Sequence, residues 1–237
     1  MITSSTNQTF KELLKLKQKK YRDEHYLVEG DHLVADAIRH GFADLIITTD
    51  ENYRSELPVF LISQGLMEKL AFTRSPQNVM ARVKKNHDNS LIAAKRYLIL
   101  DGLQDPGNIG TLIRTALAFG VDQVILSDEC VDLYNDKLLR SAQGAHFRVS
   151  IIKGDLHELI RQLQESGVYV LATALTGGKP LATIETREKM AFVLGNEGNG
   201  MNQDIIDLCD GIGFIEIEAM ESLNVAIAGS ILMYHYR

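Results

Sequence analysis

The stretch FVLGNEGNGM, residues 192–201, joins an apolar run of the kind found in buried strands to a turn with three glycines. Gly195, Gly198 and Gly200 permit backbone conformations and close approaches that a side chain would block. In open α/β sheets, ligands bind where strands end. Glu197 is the only ionisable residue in this stretch, and beside a ligand it can accept hydrogen bonds or interact with an arginine. A tight turn without a ligand would use the same glycines, so a ligand-binding loop and a purely structural turn both remain possible interpretations.

A second junction from strand to helix lies at residues 100–114, LDGLQDPGNIGTLIR. The following helix has a buried stripe, which consists of Ile109, Leu112, Ile113, Ala116 and Leu117. Arg114 lies about 130° from the centre of that stripe and is free to serve a ligand or simply to face solvent. Asn108 fits an N-cap. The glycine spacing is not that of the G-x-G-x-x-G dinucleotide fingerprint.

A third stretch, MESLNVAIAG at residues 220–229, combines polar residues with small ones. Ser222 is a predicted N-cap, and Asn224 then lies in the first turn. Hydroxyl and amide groups at a helix start can equally orient a polar substrate. Ala226, Ala228 and Gly229 predict close helix packing.

Strand-like and helix-like segments alternate along the whole chain, which predicts an α/β protein. The polar segment 86–90 separates a unit at residues 1–95 from one at residues 96–237. Uninterrupted apolar strands in the second unit indicate a parallel sheet covered on both faces. They are predicted near residues 97–100, 124–126, 149–152, 168–172, 192–194 and 212–215.

The charge distribution is uneven. Residues 1–96 carry 15 basic and 12 acidic side chains, whereas residues 97–237 carry 10 and 19. Six basic residues fall within twelve positions: Lys11, Lys15, Lys17, Lys19, Lys20 and Arg22. Such a run is either a solvated helix face or a surface for phosphates, with Lys15, Lys19, Lys20 and Arg22 as the candidate RNA contacts.

Composition and targeting signals indicate a cytoplasmic protein. The sequence has no apolar run of about 20 residues and no secretory signal at its start. Cys130 and Cys209 lack metal-binding spacing, so we expect reduced thiols and no metal.

The three motifs N-x-G-x-x-x-R, L-G-N-E-G-x-G-M and E-S-L-N-V-A, in this order, resemble the SpoU/TrmH family of RNA ribose 2'-O-methyltransferases in the SPOUT superfamily. The resemblance covers residues 97–237. Residues 10–95 are similar to the family's N-terminal RNA-binding domain, an α/β/α module of the ribosomal-protein type, through residues 26–30 and 75–81.

The resemblance implies a parallel sheet with a deep trefoil knot, a homodimer joined through the knotted domain, and S-adenosylmethionine as methyl donor. It implies methylation of a ribose 2'-hydroxyl in ribosomal or transfer RNA. The catalytic positions it implies are Arg114, Asn108, Glu197, Ser222 and Asn224. The cofactor positions it implies are Thr173, Ala174, Leu194, Gly195, Ile215, Met220 and Leu223.

One segment departs from the family's pattern, because residues 214–220, FIEIEAM, lack the usual proline. Phe214 is therefore an alternative to Ile215 for the backbone contact to adenine. Two other functions remain: a non-catalytic RNA-binding relative, and a nucleotide-binding α/β enzyme. The second would need a phosphate-binding lysine in a glycine-rich loop, and residues 195–201 contain no basic residue.

Overall fold

The computed structural model describes residues 1–86, 88–174, 176–220 and 222–237, and the chain folds around two β-sheets. The first sheet has the order β1-β4-β2-β3 and is mixed: β4 runs antiparallel to β1 and β2, and β3 runs parallel to β2. Its elements are α1 (Gln8–Lys15), β1 (His25–Glu29), α2 (Asp31–Arg39), β2 (Ala43–Thr48), β3 (Val59–Leu61), α3 (Gln64–Leu70) and β4 (Val79–Lys84).

The second sheet has seven strands in the order β7-β6-β5-β10-β8-β11-β9, and every pairing in it is parallel. Its first elements are β5 (Arg96–Leu100), α4 (Pro106–Ala118), β6 (Gln123–Ser127), α5 (Asp136–Ala142), β7 (Ser150–Gly154), α6 (Leu156–Glu165) and β8 (Tyr169–Thr173). The later ones are β9 (Lys179–Pro180), β10 (Met190–Leu194), α7 (Gln203–Leu208), β11 (Gly211–Phe214) and α8 (Val225–His235). The predicted parallel α/β sheet is confirmed.

Both faces of the seven-stranded sheet are covered, which explains why its strands are apolar without alternation. One face of β10 contributes Phe192 and Leu194 to a core with α4 and α8, and the other contributes Val193 to a core with α6 and α7. Edge strand β9 has only two residues, one of them proline, so the sequence contains no apolar run that would predict it. None of the described helices is long and apolar enough to cross a bilayer.

Helix α8 packs closely against α4 and β10 because residue 229 is glycine. A Cβ atom at Gly229 would lie 2.4 Å from Leu112 Cδ2 and 2.6 Å from Leu194 Cδ1. The predicted packing role of the small residues in this helix is therefore confirmed at Gly229. The contact brings the end of the chain back onto the motif that follows β5.

The units around the two sheets contact each other through an interface that sequence analysis missed, and we call this interface the seam. Arg22 is buried, and its guanidinium donates to the Asp132 carboxylate and to the carbonyl oxygen of Tyr134, both at 2.7 Å. It also donates to the carbonyl oxygens of Leu16 and Lys17. The prediction that Arg22 contacts RNA is wrong, because its donors already bind protein and its side chain is out of solvent.

His146 lies in the seam, and both of its ring nitrogens are buried without a hydrogen-bond partner in the described structure. Burial lowers the pKa of His146 from 6.5 to about 3, so the folded protein keeps this side chain neutral. The unfolded chain takes up the proton below pH 6.5, which favours unfolding as the pH falls from 6.5 toward 3. We therefore predict a loss of stability of up to about 1.4 kcal/mol per pH unit from this residue.

Denaturant unfolding of the wild type and of His146→Phe between pH 7.5 and 5 measures this contribution. The free-energy difference between the two proteins should shift in favour of the variant by about 1 kcal/mol per pH unit below pH 6.5. Parallel stability curves would contradict the assignment of a neutral His146.

Candidate active site

A cleft of about 640 Å³ opens where the strands β8, β10 and β11 end. Parallel strands place their carboxyl ends at one edge of the sheet, so the loops after them meet there. The loop 195–201 lies on one side and the start of α8 on the other. A second, more open cleft is lined by residues from 104–108, 196–199 and 224, so the two clefts share part of their walls.

The loop after β10 is held in one shape by Asn196. Its side-chain oxygen accepts the backbone N–H groups of Gly198 (2.9 Å) and Asn199 (3.1 Å), and its Nδ2 donates to the Gly102 carbonyl oxygen at 2.7 Å. The backbones of Asn196 and Gly200 exchange two hydrogen bonds of 3.0 Å. Sequence analysis missed Asn196, although an asparagine before a glycine turn is a known local signal.

Gly195 marks the closest approach of two backbone segments in this loop. A Cβ atom there would lie 2.3 Å from Met201 N and 2.6 Å from Gly200 C. Just beyond, the buried Asp101 accepts the backbone N–H of Asn202 at 3.0 Å, which fixes the far end of the loop to the end of β5. The loop is thus shaped before any ligand arrives, and only glycine fits at residue 195.

The three sequence motifs meet in one hydrogen-bonded chain. Asn224 Nδ2 donates to Asn108 Oδ1 at 3.1 Å, and Asn108 Nδ2 donates to Glu197 Oε1 at 3.0 Å. The Glu197 carboxylate also accepts the backbone N–H groups of Gln104 and Asp105, each at 3.2 Å. The order of donors and acceptors along this chain is fixed by the ionised carboxylate at its end.

Glu197 stays ionised at neutral pH. Burial alone would raise the pKa of its carboxyl group, but hydrogen bonds from Asn108 and from nearby backbone N–H groups outweigh burial and lower the pKa. A carboxylate with these partners is a weak base. Its observed role is to orient Asn108 and to hold the loop 195–201 against the start of α4.

The start of α4 differs from the prediction. Asp105, not Asn108, is the N-cap, and its side chain accepts the Asn108 N–H at 2.9 Å. The reason is Pro106, whose fixed φ suits the first helical position and starts the helix before Asn108. Asn108 is therefore inside the first turn, where its amide is free to bind Glu197 and Asn224.

The start of α8 also lies later than predicted. Asn224 is the N-cap and accepts the N–H groups of Ala226 (2.9 Å) and Ile227 (3.3 Å), so the prediction for Ser222 is wrong. The Asn224 side chain serves two purposes, because its oxygen caps α8 and its nitrogen binds Asn108. Glu221, part of the third motif, is outside the described residues.

Most predicted site residues line the first cleft. Among the cofactor candidates these are Thr173, Ala174, Leu194, Gly195, Ile215 and Leu223, and Phe214 lines it as well. Among the catalytic candidates these are Glu197, Ser222 and Asn224. Met220 is not in this lining, and its side chain is 72% exposed. Phe214 and Ile215 remain alternatives for the adenine contact.

Arg114 is exposed on α4, six residues after Asn108, and it lines neither cleft. Its guanidinium has no hydrogen bond or ion pair in the described parts of the chain. The helix does place Arg114 off the buried stripe, as predicted. Its charge is thus available to a partner from outside this chain.

The basic residues near the N-terminus separate into two groups. Lys15, Lys19 and Lys20 are exposed, and the ammonium groups of Lys15 and Lys20 lie 5.8 and 4.8 Å from the ring centre of Tyr21. Lys17 instead donates to the carbonyl oxygens of Lys69 and Ala71. Burial lowers the pKa of Lys17.

The chain thus combines a parallel α/β sheet, a preformed glycine loop between two adjoining clefts, and a second sheet whose unit carries the exposed lysines near the N-terminus. Residues 95–234 match the sequence profile of the SpoU rRNA Methylase family, and residues 7–81 match the MRM3-like substrate binding domain. The chain belongs to the SpoU rRNA methylase family.

Three of the relatives are similar over the whole chain. The 23S rRNA (guanosine(2553)-2'-O)-methyltransferase RlmP of Bacillus subtilis is 37% identical, over 100% of this chain and 98% of the relative. The AdoMet-bound rRNA methyltransferase of Sinorhizobium meliloti superposes with a TM-score of 0.88 at 28% identity, over 100% of this chain and 96% of that one. A TrmH-family protein of Porphyromonas gingivalis gives a TM-score of 0.87 at 26% identity, over 100% and 98%.

Proposed function

We propose that this protein transfers a methyl group from S-adenosylmethionine to a ribose 2'-hydroxyl in ribosomal RNA. The observation that carries the proposal is the chain from Asn224 through Asn108 to Glu197, which ties the three motifs together at the edge of the preformed cleft. Support comes also from the B. subtilis relative, which is similar over its full length and is named for this reaction.

The first cleft fits the cofactor. Its volume of about 640 Å³ lies within the range of ligand sites, and its walls combine apolar side chains with exposed loop backbone. Leu194, Ile215 and Leu223 would bind the adenosine part through packing and backbone groups. Gly195 keeps the loop close enough to β10 to leave this space open.

When bound, S-adenosylmethionine supplies a sulfonium methyl, so that an O–CH₃ bond forms as the S–CH₃ bond breaks and the hydroxyl proton leaves. The side chains of Asn108, Asn224 and Ser222 would hold the ribose beside this methyl, and orientation contributes several kcal/mol to such reactions. A guanidinium group is a poor base, so we favour a role for Arg114 in binding the adjacent phosphate and making the ribose hydroxyl more acidic.

In this proposal the two units of the chain have different functions. Residues 1–95 bind the RNA, with the exposed Lys15, Lys19 and Lys20 as a phosphate-contacting surface, and residues 96–237 carry the chemistry. The match of residues 7–81 to a substrate binding domain supports this division. A cytoplasmic location, as predicted, is supported by the bacterial rRNA methyltransferase that the chain resembles.

We also infer that the C-terminal segment forms the trefoil knot of the SPOUT superfamily. Strand β10 inserts between β5 and β8, and helix α8 then returns from β11 to pack on α4 and β10. A later strand thus lies between two earlier ones, and this order together with membership of the family supports the inference.

A homodimer is the assembly that we propose, with α8 in the interface. This helix is apolar on all sides, and Ile227 (53% exposed), Ile231 (39%) and Tyr234 (56%) form one uncovered face. Such a face is normally buried against a partner. The dimer would set Arg114, which lies on the neighbouring helix α4, near this interface.

We predict that Ile227→Asp combined with Ile231→Asp yields a monomer, because two carboxylates in an apolar interface leave uncompensated charge. Light scattering after size exclusion measures the mass, and circular dichroism checks the fold. Ile38→Asp on α2, where the side chain is 37% exposed, is the matched control and should leave the dimer intact. A monomeric wild type, or a dimeric double variant, would contradict the proposed interface.

Calorimetry with S-adenosylmethionine and with ATP, GTP and NAD⁺ tests the function class. We expect binding of S-adenosylmethionine alone. Binding of a nucleotide alone would favour the other α/β enzyme. Binding of S-adenosylmethionine without methyl transfer to ribosomal RNA would favour a non-catalytic relative.

A further inference from the structure

A cavity of about 350 Å³ lies in the seam between the two sheets, away from both clefts of the active site. We call it the seam cavity. Its walls come from the unit around the first sheet (Tyr26, Phe42, Lys84), from Asn86, Asp88 and Ile92 between the two units, and from residues 133–134 and 146–151. None of these residues has a place in the proposed methyl transfer. The cavity is large enough for one heterocyclic ring system.

Aromatic rings form the inner part of the seam cavity. Tyr26 and Tyr134 lie with ring centres 4.4 Å apart, and Phe42 and Phe147 stack at 5.5 Å. The ring centre of His146 lies 3.9 Å from that of Phe147. Because the His146 side chain is neutral, it adds another uncharged ring to the cavity wall. Phe42, Tyr134 and His146 are only partly covered by protein. They leave ring surface toward the cavity.

The rim of the seam cavity is basic. Lys84 and Arg148 line it and are exposed, and the Lys85 ammonium lies 4.7 Å from the ring centre of Tyr134. Asp88 is the one acid among the described lining residues. Aromatic walls below a cationic rim match the two parts of a nucleotide, a flat base and an anionic phosphate.

We propose that the seam cavity binds one unstacked base of the RNA substrate, while Lys84 and Arg148 contact the phosphates on either side of it. This inference rests on the proposed function for the presence of RNA, but not for the location of the base. RNA is recognised largely through unpaired bases that stack on aromatic side chains. A base held between the two sheets would also fix how the RNA crosses from the first unit to the second.

Cross-linking tests the position of the base directly. The full-length protein is mixed with in vitro transcribed bacterial 23S rRNA containing 4-thiouridine, irradiated, and digested for mass spectrometry. We expect RNA adducts on the peptides that contain Tyr134 or His146. Adducts on other peptides only, from RNA that the same sample methylates, would overturn the proposal. Adducts at the seam without methylation would leave the cavity assignment standing and sink the proposed function.

A matched pair of variants tests the rim. Lys84→Ala with Arg148→Ala should weaken 23S rRNA binding by about tenfold or more, with unchanged affinity for S-adenosylmethionine. The control, Lys179→Ala with Arg161→Ala, removes one exposed lysine and one exposed arginine from distant parts of the seven-stranded sheet's unit. If both pairs of substitutions weaken 23S rRNA binding equally, the loss reflects only the reduced positive charge of the protein, and the assigned site is overturned.

Discussion

Gly195→Ala should weaken S-adenosylmethionine binding by at least about tenfold, because the new Cβ meets backbone rather than a flexible side chain. Met201 N and Gly200 C lie 2.3 and 2.6 Å from the position of that atom. The loop must open to admit the methyl group, and the wall of the cleft moves with it. Calorimetry measures the affinity, and thermal unfolding shows whether the variant keeps its fold.

Gly198→Ala is the matched control in the same loop. A Cβ atom there meets nothing closer than Asn196 Oδ1 at 3.6 Å, which is an ordinary contact. Its affinity should stay within about threefold of the wild type. Equal affinity of Gly195→Ala and the wild type would mean that the loop 195–201 is not a wall of the cofactor site.

The second large effect concerns Arg114. Both Arg114→Ala and Arg114→Lys should lower turnover by about 100-fold or more, since a planar guanidinium binds phosphate through two donors and an ammonium does not. Affinity for S-adenosylmethionine should not change, because Arg114 is outside the lining of the cleft. Single-turnover rates of methyl transfer between pH 6 and 9 provide the measurement.

Arg161→Lys, another exposed arginine of the same unit, is the control and should behave like the wild type. If Arg114→Lys turns over like the wild type at every pH, the guanidinium has no essential role. A loss that disappears at high pH would instead favour assistance in removing the hydroxyl proton over phosphate binding.

The parts of the fold that the sequence predicts are those that depend on local patterns. Six strands of the seven-stranded sheet are visible in the sequence as largely apolar runs, because a strand covered on both faces has few polar positions. The buried stripe of α4 follows from helical spacing, and so does the exposure of Arg114. The helix caps are harder to predict, because several residues that can cap a helix lie within a few positions of one another. In α4, Pro106 at the first helical position makes Asp105 the N-cap.

Long-range pairings were beyond the reach of sequence analysis. Arg22 belongs to a basic run, yet its partner Asp132 lies 110 residues away, and only the fold shows that the arginine is buried. Asp101 and Asn202 likewise become visible only when the end of β5 meets the loop after β10. Of the polar residues that the three motifs contribute, Asn108, Glu197 and Asn224 meet in one hydrogen-bonded chain, whereas Arg114 lines neither cleft.

Mapping of ribose methylation tests the central claim most directly. Purified protein is incubated with S-adenosylmethionine and 23S rRNA from cells that lack its gene, and 2'-O-methyl marks are mapped with and without the protein. We predict one new mark on a ribose oxygen, the same mark that the deletion removes from the RNA of the cell. The wild-type protein leaving the rRNA unmarked, or methylating a base instead of a ribose, would contradict the account.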